Sequence, residues 1–143
     1  MAKNEVYAPG SMPRGLVLNV GNTTTKAGQP VHVGALVGVA ETDSDGGVGA
    51  GGYTGLVSQS TGVAVSGLQP GFASVAIEGV FRLPVVTAAS AAVGDWVYIT
   101  STNTLTTVVT GNTKFGILYE AVAGVVASPG ASVMVMLLPF VTA

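Results

Sequence analysis

The one histidine of this 143-residue chain, His32, is the side chain best suited to acid–base chemistry. It stands between Val31 and Val33 in a segment that alternates like a β-strand, so its side chain is expected on the face opposite the two valines. A general base needs a nucleophile within hydrogen-bond reach, and no serine of the sequence lies in a nucleophile elbow. We therefore interpret His32 as a residue of a polar face or an interface, and we predict that the protein is not an enzyme.

Two neighbouring segments invite ligand-binding interpretations. Asp43-Ser-Asp45-Gly46 resembles the start of a calcium loop, but the twelfth position counted from Asp43 is Thr54, where an EF-hand needs glutamate. An irregular cation site there is the alternative to a solvated Asp/Gly turn, which we favour. The glycine-rich run 46–52 lacks the lysine of a phosphate loop and the spacing of a dinucleotide fingerprint, and it indicates a flexible tip. No metal or cofactor is predicted.

The chain is poor in charge. Asp, Glu, Lys and Arg make up 8% of its residues, against about a quarter in ordinary globular domains. None occurs over 46–77 or after Glu120, and the five basic residues are scattered, so we predict no nucleic-acid partner. Small or polar residues interrupt every apolar run before the ~18 residues of a spanning helix, so no membrane partner is predicted either. Such a surface is expected to be covered by partner protein, which points to an assembly.

The composition favours an all-β fold. Valine and threonine are frequent, 21 glycines punctuate the sequence, and no long amphipathic stripe is present. Pro84 is expected to end the strand that contains Phe81, and residues 87–92 are the best helical candidate, with a turn or two at most. The patterns predict strands at 16–20, 29–33, 35–40, 63–65, 74–81, 95–100, 105–109, 115–119 and 133–138, with hairpin turns at Gly34 and at 110–113.

The predicted organisation is an extended N-terminal arm, residues 1–15, followed by a single β domain over 16–143. Pro9 and Pro13 hold the arm extended, and because it lacks a core-forming period we expect it to become ordered only on a partner. An arm of this kind can add to an exposed sheet edge. Residues 46–73 form a neutral, Gly/Ser-rich insertion, which we interpret as a loop or hairpin elaboration of the domain.

The order of several segments resembles one known family. Residues 27–43 read AGQPVHVGALVGVAETD, and EGVFRLP at 78–84, VGDWVY at 93–98 and TGNTKFGI at 110–117 follow before a valine-rich strand. Together they resemble the DUF2190 family, the decoration or cement proteins of tailed-bacteriophage capsids, over roughly 15–40 and 73–138. The chain departs from the compact family pattern in the Gly/Ser-rich insertion.

The resemblance implies a small β-barrel or β-tulip-like module on the outer surface of the phage head. It implies that the module stabilises the head by bridging major capsid proteins, that it is commonly a homotrimer, and that it resides in the virion after assembly in the host cytoplasm. Because both faces of the strand at 95–100 are apolar, Phe81, Trp96 and Tyr98 are expected at the trimer interface. The capsid-binding residues expected on the arm are Lys3, Asn4, Val6, Tyr7, Pro9, Pro13 and Arg14.

A second hypothesis is a phage adhesion or carbohydrate-binding β module of the tail-fibre or head-fibre type. It predicts exposed aromatic side chains in a groove, and aromatic residues make up only 6% of the chain. Trp96 and Tyr98 have the ring faces to stack on nucleic-acid bases, but no basic residue stands beside them in the sequence. These observations favour the structural virion protein.

Overall fold

The computed structural model describes residues 15–45 and 68–137, which contain strands and turns and no helix. The all-β prediction is confirmed. The nine strands are β1 (Gly15–Asn19), β2 (Pro30–Val33), β3 (Leu36–Ala40), β4 (Phe72–Ala76), β5 (Gly79–Thr87), β6 (Trp96–Ile99), β7 (Leu105–Thr106), β8 (Thr113–Leu118) and β9 (Val126–Leu137).

Five of these strands close into a small barrel in the order β5-β7-β6-β8-β9, with β9 pairing back onto β5. The barrel is filled by alternate side chains of its strands, because successive residues of a strand point to opposite faces. The largest of the fully buried side chains are Phe115, Leu83, Ile99, Leu105 and Leu118. The predicted small barrel is therefore confirmed, and its closure leaves it without a free sheet edge.

The other four strands form an open sheet in the order β1-β4-β3-β2. This sheet has a small core of its own around Val31 and Val75, and Val39 on its β3 strand joins the hydrophobic cluster of the barrel. The side chain of His32 adds a polar contact between the two sheets, since its Nδ1 lies 2.9 Å from Oδ1 of Asn103.

The structure confirms one predicted hairpin and corrects the other. β2 and β3 pair around Gly34, which adopts the positive φ of 62° that favours glycine. β7 and β8 do not form a hairpin, because β6 lies between them and pairs with both. The decisive turn is at 100–104, where the Thr100 hydroxyl accepts hydrogen bonds from the N–H groups of Thr102 and Thr104 and so folds β7 back onto β6.

Two further predictions about this region are wrong. The expected strand 74–81 is two strands, because β4 belongs to the open sheet and β5 to the barrel, with a break before Gly79 at φ 122°. Pro84 does not end β5. β9 pairs with one side of β5 here, and on the other side β7 begins only opposite Val85, so no strand needs the N–H that proline lacks.

The helical candidate at 87–92 is not a helix. Thr87 is the last residue of β5, and its hydroxyl donates to the carbonyl of Gly124. Ala91 forms a β-bridge with Val122, and each N–H donates to the other residue's carbonyl. These long-range hydrogen bonds outweigh the helix propensity of the alanines.

The two ends of the predicted insertion meet in the structure. Ser44 is fully buried, its carbonyl accepts the N–H of Gly71 at 2.7 Å, and its own N–H donates to the carbonyl of Thr25 at 3.0 Å. Residues 46–67 lie outside the described residues, and β4 already begins at Phe72. The division into an arm, a single domain and an insertion stays a prediction.

One glycine of the barrel is a stringent test of this packing. A Cβ atom added to Gly116 would clash with the backbone oxygen of Met136, which cannot move without disturbing β9. We expect Gly116→Ala to lower the free energy of unfolding by about 1–3 kcal/mol in chemical denaturation. Thr113→Ala, on the same strand, is the control and should change it by about 0.5 kcal/mol or less. Equal effects of the two substitutions would contradict the barrel register.

Candidate functional site

Four apolar side chains line up across the outside of the barrel. The strand register places Trp96 opposite Ile117, Ile117 opposite Met136, and Met136 opposite Val80. The residue after Trp96 or Ile117 and the residue before Met136 are buried in the barrel, and the residue after Val80 packs against its core, so these four point outwards. We call Val80, Trp96, Ile117 and Met136 the outer band. Trp96 is 38% exposed and Val80 is 47% exposed, so the band is open to contact.

Charged side chains flank the outer band. At one end the Lys114 ammonium lies 4.6 Å from the centroid of the Trp96 ring, as in a cation–π contact. Two residues before Met136 on β9, the N–H of Met134 donates to the Glu120 carboxylate. This carboxylate also forms an ion pair with Arg82 at 3.0 Å. These two donors hold the pKa of Glu120 below its ordinary value. An apolar centre with a polar rim is the usual anatomy of a protein interface.

The three predicted interface residues lie in different environments. On β6, Trp96 and Tyr98 face outwards while Val97 and Ile99 fill the barrel, as the two-faced apolar pattern predicted. Tyr98 is nonetheless buried, at the base of a groove of about 420 Å³ that Trp96 and residues 107–109 also line. Phe81, the third residue, is half-buried and packs against the barrel core. The trimer interface stays a prediction, and Trp96 is its most exposed member.

The predicted arm joins the structure at β1, which is an edge strand among the described residues. Its residues Lys3, Asn4, Val6, Tyr7, Pro9, Pro13 and Arg14 lie outside the described residues. β1, which begins at Gly15, pairs with β4 on one side only among the described strands. Val17 pairs with Ser74 of β4. The N–H of Ser74 donates to the Thr42 hydroxyl and its C=O accepts the N–H of Glu41, both on the side of β4 away from β1. The backbone groups of Val17 therefore point to the open side of the sheet.

The segment that resembled a calcium loop is an ion-pair cluster. The Lys26 ammonium lies 2.8 Å from a carboxylate oxygen of Asp43 and 2.9 Å from one of Asp45, where a bound cation would sit. Lys26 and the N–H of Ala27 hold the pKa of Asp43 below its ordinary value, and the two carboxylates raise the pKa of Lys26. Within residues 15–45 and 68–137 no group of three or more His, Cys, Asp or Glu side chains could hold a metal ion.

His32 makes a polar contact between the open sheet and the barrel. It is half-buried on β2, and its one side-chain hydrogen bond within the described part of the chain is the one to Asn103. Its ring thereby connects the open sheet to the turn between β6 and β7. This agrees with the interpretation of His32 as a residue of a polar face.

Sequence reasoning missed most of the outer band. Met136 lies in the predicted strand 133–138 and Ile117 in 115–119, so their alternation was visible. Their alignment with Val80 and Trp96 depends on the order and register of four strands, which alternation along one strand does not reveal. The signal that was available is the apolar character of the outward positions on β6, β8 and β9.

A family model for phage cement proteins matches residues 44–137, which include every strand of the barrel. The chain belongs to the phage cement protein family. The match starts at Ser44, so it includes the insertion and leaves out the segment 15–40 on which the resemblance also rested. No curated protein and no solved structure matches the chain.

Membership gives this cement protein a structural role in the phage particle, at the capsid. The outer band and the open edge of β1 are then candidate contact surfaces for other proteins of the particle. None of the described segments is a helix of the length and apolarity that crossing a bilayer requires.

Proposed function

We propose that this cement protein decorates the outer surface of the phage head as a homotrimer and stabilises the head by bridging neighbouring major capsid proteins. The observation that supports the proposal best is the outer band, which crosses four strands of the matched barrel. A row of tryptophan, isoleucine, methionine and valine on the outside of a closed barrel contributes nothing to the barrel's own core. Contiguous exposed apolar surface of this kind marks contact sites on proteins.

The outer band is the surface that we assign to contact between copies. Trp96 is its largest side chain, and its ring is held against Lys114, so little side-chain freedom is lost on association. A ring of three copies requires a heterologous contact, in which the band of one copy meets a different surface of the next. The exposed Val108 and Val109, which adjoin Trp96 across the groove, extend the apolar surface available for such a contact.

The arm is the segment that we assign to the capsid. It continues from Gly15 at the open edge of β1, so it leaves the domain beside backbone groups that no described strand uses. The fourteen residues before Gly15 would span roughly 46 Å when extended, at about 3.3 Å each, which gives the arm reach beyond its own domain. Three arms on one trimer would hold several capsid subunits, and their binding free energies would combine through multivalency.

Sedimentation with purified heads tests this function, with the salt concentration as the discriminating variable. Because the arm is proposed to bind through its backbone groups and the outer band is apolar, we expect mainly apolar and backbone contacts. Binding should survive 1 M NaCl, where the Debye length is about 3 Å. Complete loss of binding at 1 M would instead assign the attachment to charges such as Arg14, Lys26 and Arg82. Absence of co-sedimentation at any salt concentration would contradict the proposed function.

A further inference from the structure

A polar cleft of about 610 Å³ lies between the open sheet and the barrel, away from the outer band. Its walls come from the connection between β1 and β2, from the turn between β6 and β7, and from the bulged region where β5 meets β9. The volume lies within the ~300–1,000 Å³ that is usual for small-molecule sites. The cleft is therefore large enough for a short oligosaccharide.

The lining of the cleft contains no Asp, Glu, Lys or Arg. Its polar groups are amides and hydroxyls, and its exposed apolar residues are Pro84 and Pro129. A charged ligand would find no counter-charge there, so phosphates, nucleotides and acidic sugars are disfavoured. A neutral ligand with many hydroxyl groups matches this lining, because its hydroxyls both donate and accept while its C–H faces pack on the proline rings.

Two amide side chains are oriented with their amino groups available as donors. Oδ1 of Asn103 lies 2.9 Å from the His32 ring, and Oε1 of Gln29 accepts the N–H of Lys26 at 2.8 Å. Their NH₂ groups make no hydrogen bond within the described protein, and neither do the hydroxyls of Ser101 and Ser128, which also line the cleft. Donors and acceptors thus remain available to a ligand from both sides of the cleft.

Asn103 is also in an unusual backbone conformation. Its φ of 61° is the one positive value among the described non-glycine residues. Asparagine tolerates this region better than most residues, but glycine would be less strained there. Strained residues held by their surroundings cluster at binding sites. The side chain of Asn103, which glycine would lack, contacts His32 and lines the cleft.

We infer that this cleft is a binding site for neutral saccharides, with the Asn103 and Gln29 amides as donors to sugar hydroxyls. A peptide ligand fits less well, because β2 starts at Pro30, which offers no N–H to an added strand. The cleft lacks the aromatic platform that strong sugar sites use, so the affinity of one site should be millimolar. Useful avidity would come from many copies on one head, and only this point rests on the proposed function.

Titration of the isotopically labelled protein, followed by amide chemical shifts, tests the inference. Maltose and N-acetylglucosamine are the neutral probes, glucuronate is the acidic probe, and a blocked trialanine peptide represents a peptide ligand. We expect saturable shifts at residues 101–105 and in the connection between β1 and β2 with at least one neutral sugar. Glucuronate and the peptide should give none.

Asn103→Gly is the informative variant, because glycine keeps the positive φ while the amide is removed together with its contact to His32. We expect it to remain folded and to bind the neutral sugar about fivefold or more weakly, the usual effect of losing a hydrogen bond. Asn112→Ala, which alters an asparagine outside the cleft, should bind like the unaltered protein. No saturable shift with either neutral sugar, equal affinity for glucuronate or the peptide, or undiminished binding by Asn103→Gly would each overturn the inference.

Discussion

A chain that lacks residues 2–14 should fold normally and lose the ability to decorate phage heads. The fold should persist because β1 begins at Gly15 and keeps its pairing with β4. Decoration should fall by a factor on the order of 100 or more, since several backbone hydrogen bonds, at about 0.5–1.5 kcal/mol each, would be lost together. Co-sedimentation with heads measures the binding, and circular dichroism with thermal unfolding measures the fold.

Removal of residues 139–143 is the matched control at the other end of the chain. β9 ends at Leu137, and all predicted capsid contacts lie on the arm, so this truncation should leave decoration unchanged. Undiminished binding after removal of the arm would place the capsid contact elsewhere. Failure of both truncated chains to bind would show that attachment needs both ends of the protein.

Trp96→Ala should convert the proposed trimer into monomers at concentrations where the unaltered protein is associated. Truncation of a central aromatic residue in an interface costs about 2 kcal/mol or more, which weakens association about thirtyfold. The barrel should survive, because Trp96 points outwards and Val97 remains in the core. Met136→Thr, in the middle of the outer band, is a second variant that keeps a strand-forming residue and should act in the same direction.

Val125→Ala is the control for the outer band. Val125 is 74% exposed, more than any other large apolar side chain of the described residues, but it lies outside the band. Light scattering should therefore give the same mass for this variant as for the unaltered protein. A monomeric mass for the unaltered protein, in solution and after elution from heads, would contradict the trimer. An unchanged mass for Trp96→Ala and Met136→Thr would show that copies associate through another surface.

The sequence predicted those features of the fold that depend on a single strand or turn. The alternation at 95–100 correctly indicated a strand with apolar side chains on both faces, and Gly34 correctly marked a hairpin. It did not reveal the break before Gly79, because apolar alternation continues across the change of sheet. It also did not place β6 between β7 and β8, because that order depends on hydrogen bonds of the Thr100 hydroxyl in a turn.

The candidate site was harder to predict for the same reason. Trp96 was predicted at an interface because both faces of the strand at 95–100 are apolar. The other three residues of the outer band join it only through the register of β6, β8, β9 and β5. The Lys26 ion pairs likewise join residues 17 and 19 positions apart, where the sequence alone left a cation site open.

Heating decorated and bare heads while genome release is recorded tests the proposed stabilisation most directly. A protein that binds the intact head but not its dissociated subunits shifts the equilibrium towards the intact head by mass action. Decorated heads should therefore release their genome at a higher temperature than bare heads, and heads mixed with the chain that lacks residues 2–14 should behave like bare heads. Equal release temperatures for fully decorated and bare heads would contradict the account.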